Sequence, residues 1–155
     1  DKGSTVPIHY AVPTGNFGDI LAGYYAKRMG LPVGKLVIAT NENDVLHRFL
    51  TSGKYTKKTC NPTIAPSMDI SVSSNFERYL YYLADENAQM LAGWMKTFET
   101  SGTIAVNDKQ WNLAKSEFAS YAANAKEIVE TMTEMNTKES YLLCPHTATA
   151  AARPR

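Results

Sequence analysis

Cysteine, net charge and long apolar runs are all scarce in this sequence. The net charge is only +1, so the chain has neither the basic surface typical of nucleic-acid binding nor an acidic tail. No apolar run approaches the roughly 20 residues that a transmembrane helix requires, and no secretory signal pattern is present. We therefore expect a cytoplasmic protein without nucleic-acid or membrane partners.

The residues that usually form metal sites or nucleophilic centres are also few. The two cysteines, Cys60 and Cys144, lie far apart in a pattern that fits no metal site, which favours reduced thiols. The three histidines, His9, His47 and His146, belong to no Ser-His-Asp or HExxH pattern. Hydrolase and zinc functions therefore rank low, and the Cys144 side chain is expected to serve packing rather than catalysis.

The first part of the chain alternates between strand and helix patterns. Residues 6–12 (VPIHYAV) predict a buried strand, and residues 17–29 predict a helix with a broad apolar stripe. Residues 35–40 (KLVIAT) have no polar alternation, as expected of a strand covered on both faces. Strand, helix and strand in this order predict parallel pairing, and hence an α/β fold.

Helical patterns dominate the second half of the chain. Residues 41–44 supply N-cap side chains for a short helix at 45–52, and an irregular segment follows at 54–71. Ser74 and Glu77 have capping-box spacing at the start of another helix. Residues 141–144 (YLLC) predict one more buried strand. Three further apolar stripes at helical spacing are expected to be core: Leu91, Trp94, Met95 and Phe98; Trp111, Ala114 and Phe118; Ile128, Val129 and Met132.

The most informative segment lies between the first strand and its helix. It consists of Gly15, Asn16, Phe17, Gly18 and Asp19. A glycine-rich turn before a helix leaves backbone N–H groups unpaired and adds the favourable helix dipole, which together suit a phosphate group. A tight turn without a ligand is the alternative that the pattern leaves open. The carboxylate of Asp19 would repel a phosphate, so we expect it to point away or to cap the loop.

Absent motifs narrow the class of ligand that this turn could bind. The chain lacks both the G-x-G-x-x-G fingerprint and a Walker lysine after the second glycine. A small phosphorylated cofactor therefore fits better than ATP or NAD.

Three separated segments resemble one enzyme family. They are VPTGNFGDILAGYYAKRMGLPVGKLVIATNENDVLHRFLTSGKY, PSMDISVSSNFERYLYYL and CPHTATA, and they are similar to threonine synthases of fungi and many bacteria. The resemblance implies the three-layer, parallel-sheet architecture of the tryptophan synthase β-like enzymes (fold type II of the pyridoxal-phosphate enzymes). It also implies pyridoxal phosphate as cofactor and conversion of O-phosphohomoserine and water into threonine and phosphate.

The resemblance assigns roles to individual residues. It makes Gly15, Asn16, Phe17, Gly18 and Asp19 the cradle of the cofactor phosphate, and Thr147 the partner of the pyridine nitrogen. Further matches to family motifs suggest substrate-binding residues: Asn41, Asp44, Ser67, Asp69 and Arg78. Asn75 matches the same motifs without an assigned role. Arg78 could bind phosphate or carboxylate bidentately, although a solvated arginine on a helix face is the commoner case.

One family feature is missing from these 155 residues. The Schiff-base lysine of the family lies in an S-F-K-D context, which does not occur here. We therefore expect residues 1–155 to be a single fragment of the cofactor domain, without its N-terminal part and C-terminal remainder, and inactive alone. A threonine-synthase-like protein that binds a phosphorylated molecule without catalysis is the first alternative. A flavodoxin-like or phosphosugar-binding module is a weaker one.

Overall fold

Five strands form two separate sheets in the computed structural model, which describes residues 6–152. The strands are β1 (Ile8–Pro13), β2 (Val33–Thr40), β3 (Lys54–Thr56), β4 (Thr103–Ala105) and β5 (Phe118–Ala122). The larger sheet is parallel throughout and has the order β1-β2-β5, whereas β3 and β4 pair antiparallel.

Helices connect these strands and cover the sheet. They are α1 (Gly18–Arg28), α2 (Val45–Ser52), α3 (Phe76–Leu83), α4 (Ala88–Ser101), α5 (Asp108–Glu117), α6 (Ala125–Glu139) and α7 (Pro145–Ala151). One turn of 3₁₀ helix forms at Pro66–Met68. Within residues 6–152, none of these helices has the length and apolar character needed to cross a membrane.

The predicted strand–helix–strand unit is confirmed. β1 pairs parallel with β2, with Tyr10 opposite Leu36, and α1 connects the two strands. β2 lies in the middle of the sheet between β1 and β5, so its apolar residues are covered as expected. The α2 helix also matches its predicted bounds, and Gly53 ends it in a left-handed conformation (φ +70°).

The prediction that the first strand is buried is wrong. Val6, Ile8 and Tyr10 are 72%, 61% and 45% exposed. β1 is the edge strand of the sheet and pairs only with β2 among the described strands. Apolar composition predicted burial, but an edge position leaves that strand open to solvent in this chain.

Two predictions in the second half are also wrong, the first because strand pairing overrides the local pattern and the second because residues 141–144 pair with no described strand. Phe118 was expected to continue a helical stripe, yet α5 ends at Glu117 and Phe118 begins β5 opposite Leu36. Residues 141–144 form no strand. They connect α6 to α7, with only Leu143 buried while Tyr141 is 61% exposed.

The segment 54–71 is more ordered than predicted, and the capping box before α3 is absent. β3 lies at its start and a 3₁₀ turn near its end. Asn75 is the N-cap residue of α3, but no side chain caps the helix there. The side chains of Ser74 and Asn75 instead form hydrogen bonds with Asn16 in the glycine-rich turn.

Aromatic rings fill the main core. Phe17, Phe76, Tyr79 and Phe118 are buried, and their rings contact one another at centroid distances of 5.0–5.9 Å. The predicted stripe on α4 only packs against this core, since no residue of α4 is fully buried. In the stripe on α6, Ile128 is buried whereas Val129 is 51% exposed.

A second, smaller core positions α7 beside the sheet. It contains Ala123, Ile128, Leu143, Ala148 and Ala152. A helix as short as α7 is unstable alone, so packing against α6 and the strands holds it in place.

Candidate functional site

The glycine-rich turn starts from a fixed point at the carboxyl end of β1. The buried Thr14 donates its N–H to the carbonyl oxygen of Ala39 at 2.7 Å. Its hydroxyl donates to the carbonyl oxygen of Val12 at 2.6 Å. These two bonds fix the direction in which the chain leaves the sheet.

Phe17 turns the backbone from the strand into α1. It is the N-cap residue of α1, and its φ of +65° lies in the left-handed region. This conformation is costly for a residue other than glycine, by about 1 kcal/mol or more. The side chain is only 1% exposed and packs edge-on against Phe76 at 5.2 Å between centroids. Packing of the ring in the core therefore maintains the strained backbone of the turn.

Gly15 lies against the 3₁₀ turn. A Cβ added at position 15 would lie 3.1 Å from the Cα of Met68 and 3.3 Å from the carbonyl oxygen of Ser67. Both contacts are with backbone atoms, which cannot rotate away as a side chain could. Glycine at this position therefore lets two backbone segments pack together.

The turn, the 3₁₀ turn and α7 together enclose a cleft of about 400 Å³. Its wall includes all five predicted cradle residues, Gly15, Asn16, Phe17, Gly18 and Asp19, together with Ser67, Met68 and His146. The first N–H groups of α1 have no partner within the helix, and the positive end of its dipole lies beside the cleft. Asp19 is exposed in the first turn of α1. The arrangement can bind an anion through backbone N–H groups.

His146 joins α7 to the opposite wall of this cleft. Its Nε2 accepts a hydrogen bond from the N–H of Ser67 at 3.3 Å. Thr147 follows directly, is exposed, and does not itself line the cleft. Thr147 is therefore the sequence neighbour of a residue that lines the cleft, and it lies on the helix that forms one side of the cleft.

The prediction that the Cys144 side chain serves packing is wrong. The side chain contacts Thr147 instead of packing in the interior. The thiol is exposed, and its Sγ caps α7 by accepting the N–H of Thr147 at 3.4 Å. The same sulfur lies 3.3 Å from Oγ1 of Thr147. Hydrogen bonds from the Thr147 hydroxyl and N–H, and from His146, lower the pKa of the Cys144 thiol to about 7.

Asn41 and Asp69, two predicted substrate-binding residues, are held in one network. Oδ1 of Asp69 accepts from Nδ2 of Asn41, Nδ2 of Asn43 and Oγ1 of Thr63, at 2.7–2.8 Å. Its Oδ2 accepts the N–H of Thr63 at 2.7 Å. Burial alone would raise the pKa of this carboxyl, but the bonds from Thr63, Asn41 and Asn43 lower it below its ordinary value. The network ties the segment before the 3₁₀ turn to the end of β2.

The other predicted substrate-binding residues lie in different surroundings. Asp44 forms an ion pair with Arg48 at 2.8 Å on α2. Ser67 lies on the wall of the cleft. Arg78 is exposed and donates from Nη1 to Oδ1 of Asn75 at 2.5 Å. Among residues 6–152, no group of His, Cys, Asp and Glu side chains is arranged to hold a metal ion.

Sequence reasoning missed the residues that support the turn from behind. The Ser73 hydroxyl donates to the carbonyl oxygen of Gly15 at 2.8 Å, and Nδ2 of Asn75 donates to that of Asn16 at 2.9 Å. Asn75 matched the family motifs without an assigned role, whereas Ser73 was not singled out; the cap predicted beside them concerned Ser74 and Glu77.

The chain is similar in sequence to known threonine synthases, although no protein-family model matches it. It is 48% identical over 141 residues to threonine synthase from Pseudomonas aeruginosa, covering 91% of this chain and 30% of that protein. It is 42% identical over an alignment of 168 residues to threonine synthase from Schizosaccharomyces pombe, covering 95% of this chain and 33% of that protein.

The fold is similar as well. The crystal structure of PLP-bound threonine synthase from Brucella melitensis matches with a TM-score of 0.93 and 43% identity, covering 95% of this chain and 32% of that chain. The chain thus spans about a third of the length of the proteins it matches. These findings confirm the family resemblance and the expected α/β fold. In sequence and in fold, the chain is homologous to one part of the threonine synthases, enzymes of pyridoxal-phosphate fold type II.

Proposed function

We propose that this chain is the part of a threonine synthase that binds the phosphate and the ring nitrogen of pyridoxal phosphate. The whole protein would convert O-phosphohomoserine and water into threonine and phosphate. The observation that carries the proposal is the cleft between the glycine-rich turn and α7, in a chain similar to a PLP-bound threonine synthase. Because the relatives at 48% and 42% identity are named threonine synthases, whereas those named threonine synthase-like 1 are 33% identical, we favour this enzyme over a binding protein without catalysis.

The residues of the cleft fit the phosphate of this cofactor. The N–H groups at the start of α1 can each donate to a phosphate oxygen, and a charge-assisted bond of this kind contributes about 1.5–3 kcal/mol. The absent side chain at Gly15 allows the 3₁₀ turn to close one wall. We assign phosphate binding to Gly15, Asn16, Phe17, Gly18 and Asp19, the last through its backbone.

Thr147 is the proposed partner of the pyridine nitrogen. A hydroxyl is far too weak an acid to protonate a pyridine, so it would orient the ring by a hydrogen bond without fixing a full positive charge on it. The position of Thr147 beside His146, which lines the cleft, supports this role. When bound, pyridoxal phosphate supplies an electron sink for a substrate carbanion.

The candidate substrate residues divide by their surroundings. We infer that Ser67 contacts substrate directly, because it lies on the cleft wall. Asn41 and Asp69 would act by holding the 3₁₀ turn in place, since their polar atoms bind each other. Asp44 is paired with Arg48, which supports a structural role. Arg78 is exposed, but its side chain is bonded to Asn75. It could bind an anionic substrate only after that hydrogen bond is broken.

We infer further that residues 1–155 form part of one cofactor-binding domain and that the Schiff-base lysine comes from elsewhere in the whole protein. The S-F-K-D context of that lysine does not occur here, which supports this division. We also propose a cytoplasmic enzyme without nucleic-acid or membrane partners; the net charge of +1 supports the lack of a nucleic-acid partner.

Threonine formation tests the proposal. The intact gene product and the 155-residue chain should each be assayed with O-phosphohomoserine and pyridoxal phosphate. We expect equal amounts of threonine and phosphate from the intact product and no turnover by the chain alone. Turnover by the isolated chain, or none by the intact product, would contradict the proposal.

A further inference from the structure

The glycine-rich turn is held from behind by two side chains that do not belong to the cleft. The Ser73 hydroxyl donates to the carbonyl oxygen of Gly15 at 2.8 Å. Asn75 donates twice to the carbonyl oxygen of Asn16, from Nδ2 at 2.9 Å and from its backbone N–H at 3.0 Å. Residues 73–75 are not part of the cleft wall, which residues 15–19 form. The two carbonyl groups therefore point away from the cleft.

Because each peptide is planar, the hydrogen bonds to these two carbonyl groups also fix the directions of the N–H groups of Asn16 and Phe17. The carbonyl of Gly15 shares a planar trans peptide with the N–H of Asn16, and the two groups point in opposite directions. The carbonyl of Asn16 is related in the same way to the N–H of Phe17. Because both carbonyls are bound on the far side, both N–H groups are directed toward the cleft.

Ser73 and Asn75 are themselves fixed in orientation. Ser73 is only 3% exposed, and its N–H donates to the Tyr55 hydroxyl at 2.7 Å. Asn75 receives a hydrogen bond on Oδ1 from Arg78 at 2.5 Å. Since an amide has one accepting and one donating end, this bond leaves Nδ2 to donate to Asn16.

We propose that Ser73 and Asn75 are positioning residues of the anion-binding turn, which direct the N–H groups of Asn16 and Phe17 at a bound phosphate. This inference rests on the proposed function, because it assumes that the turn holds the phosphate of the cofactor. Arg78 contributes by fixing the amide of Asn75.

A comparison of two ligands tests the inference. Pyridoxal lacks the phosphate of pyridoxal 5′-phosphate. The measured quantity is the dissociation constant of pyridoxal divided by that of pyridoxal 5′-phosphate. Pyridoxal closes to a hemiacetal in water to the same extent for every variant, so a change in this ratio between variants reports the contribution of the phosphate. We expect Asn75→Ala and Ser73→Ala each to reduce this ratio about tenfold in the intact gene product, the effect of one weakened charge-assisted hydrogen bond. Ser73→Thr, which keeps the hydroxyl, should restore most of the ratio.

Two reference variants serve as a negative and a positive control for the ratio. Asn87→Ala also removes an asparagine that accepts a single local bond, from the N–H of Met90, and should leave the ratio unchanged. Gly15→Ala disturbs the turn directly and should reduce the ratio. An unchanged ratio in Gly15→Ala would overturn the proposed function and the inference with it.

If Gly15→Ala reduces the ratio but Ser73→Ala and Asn75→Ala do not, only the inference is overturned. The same holds if these two variants weaken both ligands equally while the melting temperature falls, because a purely structural role would do that. A selective loss of phosphate affinity at a similar melting temperature supports the inference.

Discussion

Nδ2 of Asn41 lies 2.7 Å from Oδ1 of Asp69, although 28 residues separate them in the chain. The same carboxylate oxygen accepts bonds from Asn43 and Thr63. Asp69 follows the 3₁₀ turn that packs against Gly15. This pair therefore joins the end of β2 to the segment that forms one wall of the cleft.

Replacement of Asp69 by asparagine should destabilise the protein and flatten its response to acid. Loss of a charged acceptor with several donors is expected to lower the free energy of unfolding by about 2 kcal/mol at neutral pH. Because the folded-state pKa of Asp69 is lowered, its stabilising contribution is present above the unfolded pKa and disappears as pH falls through the folded pKa. Urea unfolding at neutral and acidic pH measures both effects. Asp108→Asn, at an exposed carboxylate in the first turn of α5, should lower the free energy of unfolding by less than about 1 kcal/mol.

Gly15→Ala should weaken phosphate binding because the new methyl group would lie 3.1–3.3 Å from backbone atoms of Met68 and Ser67, which must then shift by a few tenths of an ångström. We expect about a tenfold loss of affinity for pyridoxal phosphate, corresponding to about 1.4 kcal/mol. Gly93→Ala is the matched control, since nothing lies within 4 Å of its added Cβ in α4. It should stabilise the helix by about 0.5–1 kcal/mol. Ligand titration and thermal unfolding distinguish the two; equal affinities in both variants would argue against a close approach at Gly15.

Phe17→Ala should lower the free energy of unfolding by about 3–5 kcal/mol, because it removes a buried ring at the centre of the aromatic core. The turn should loosen as well, since the ring maintains its positive φ. Leu142→Ala, at a side chain that is 76% exposed, should change stability by less than about 0.5 kcal/mol. Denaturant unfolding measures the difference. A loss of less than about 1 kcal/mol for Phe17→Ala would show that the core does not depend on this ring.

Cys144 should react with iodoacetamide at neutral pH, because its pKa is lowered to about 7 and only the thiolate reacts. Thr147→Val removes the hydroxyl near the sulfur and should move the midpoint of the rate–pH profile upward, toward the ordinary value of about 8.5. The profile should be measured in a Cys60→Ser background, so that one thiol remains. An unchanged midpoint would exclude the Thr147 hydroxyl as the cause.

Local pattern predicted the elements that local chemistry determines. Gly53, in a left-handed conformation, ends α2 where the sequence indicated, and the turn before α1 lies where its glycines predicted. The predictions that were wrong concern residues whose structure or burial depends on strand pairing with distant parts of the chain. Phe118 has the spacing of a helical stripe but pairs with Leu36, and Ile8 has the composition of a buried strand but lies at the sheet edge.

The candidate site likewise combines a feature that the local sequence predicted with one that long-range contacts determine. The wall of the cleft includes the whole predicted cradle, because that motif is contiguous. The contribution of Ser73 could not be predicted, since its hydroxyl reaches Gly15 across 58 residues. Such a contact leaves no periodicity or spacing in the sequence that would reveal it.

The contacts behind the turn have a consequence for the order of folding. Residues 15–17 precede Ser73 and Asn75 in the chain, yet the bonds that orient their peptides come from those two residues. The three described strands of the larger sheet come together only when Phe118 pairs with β2, and α7 follows later still along the chain. Contacts between residues far apart in the chain form later than local ones such as those within α1, because the entropy of closing the loop must be overcome first. During synthesis, the glycine-rich segment would therefore leave the ribosome before the side chains that orient its N–H groups, and it could bind an anion only after those side chains have packed against it.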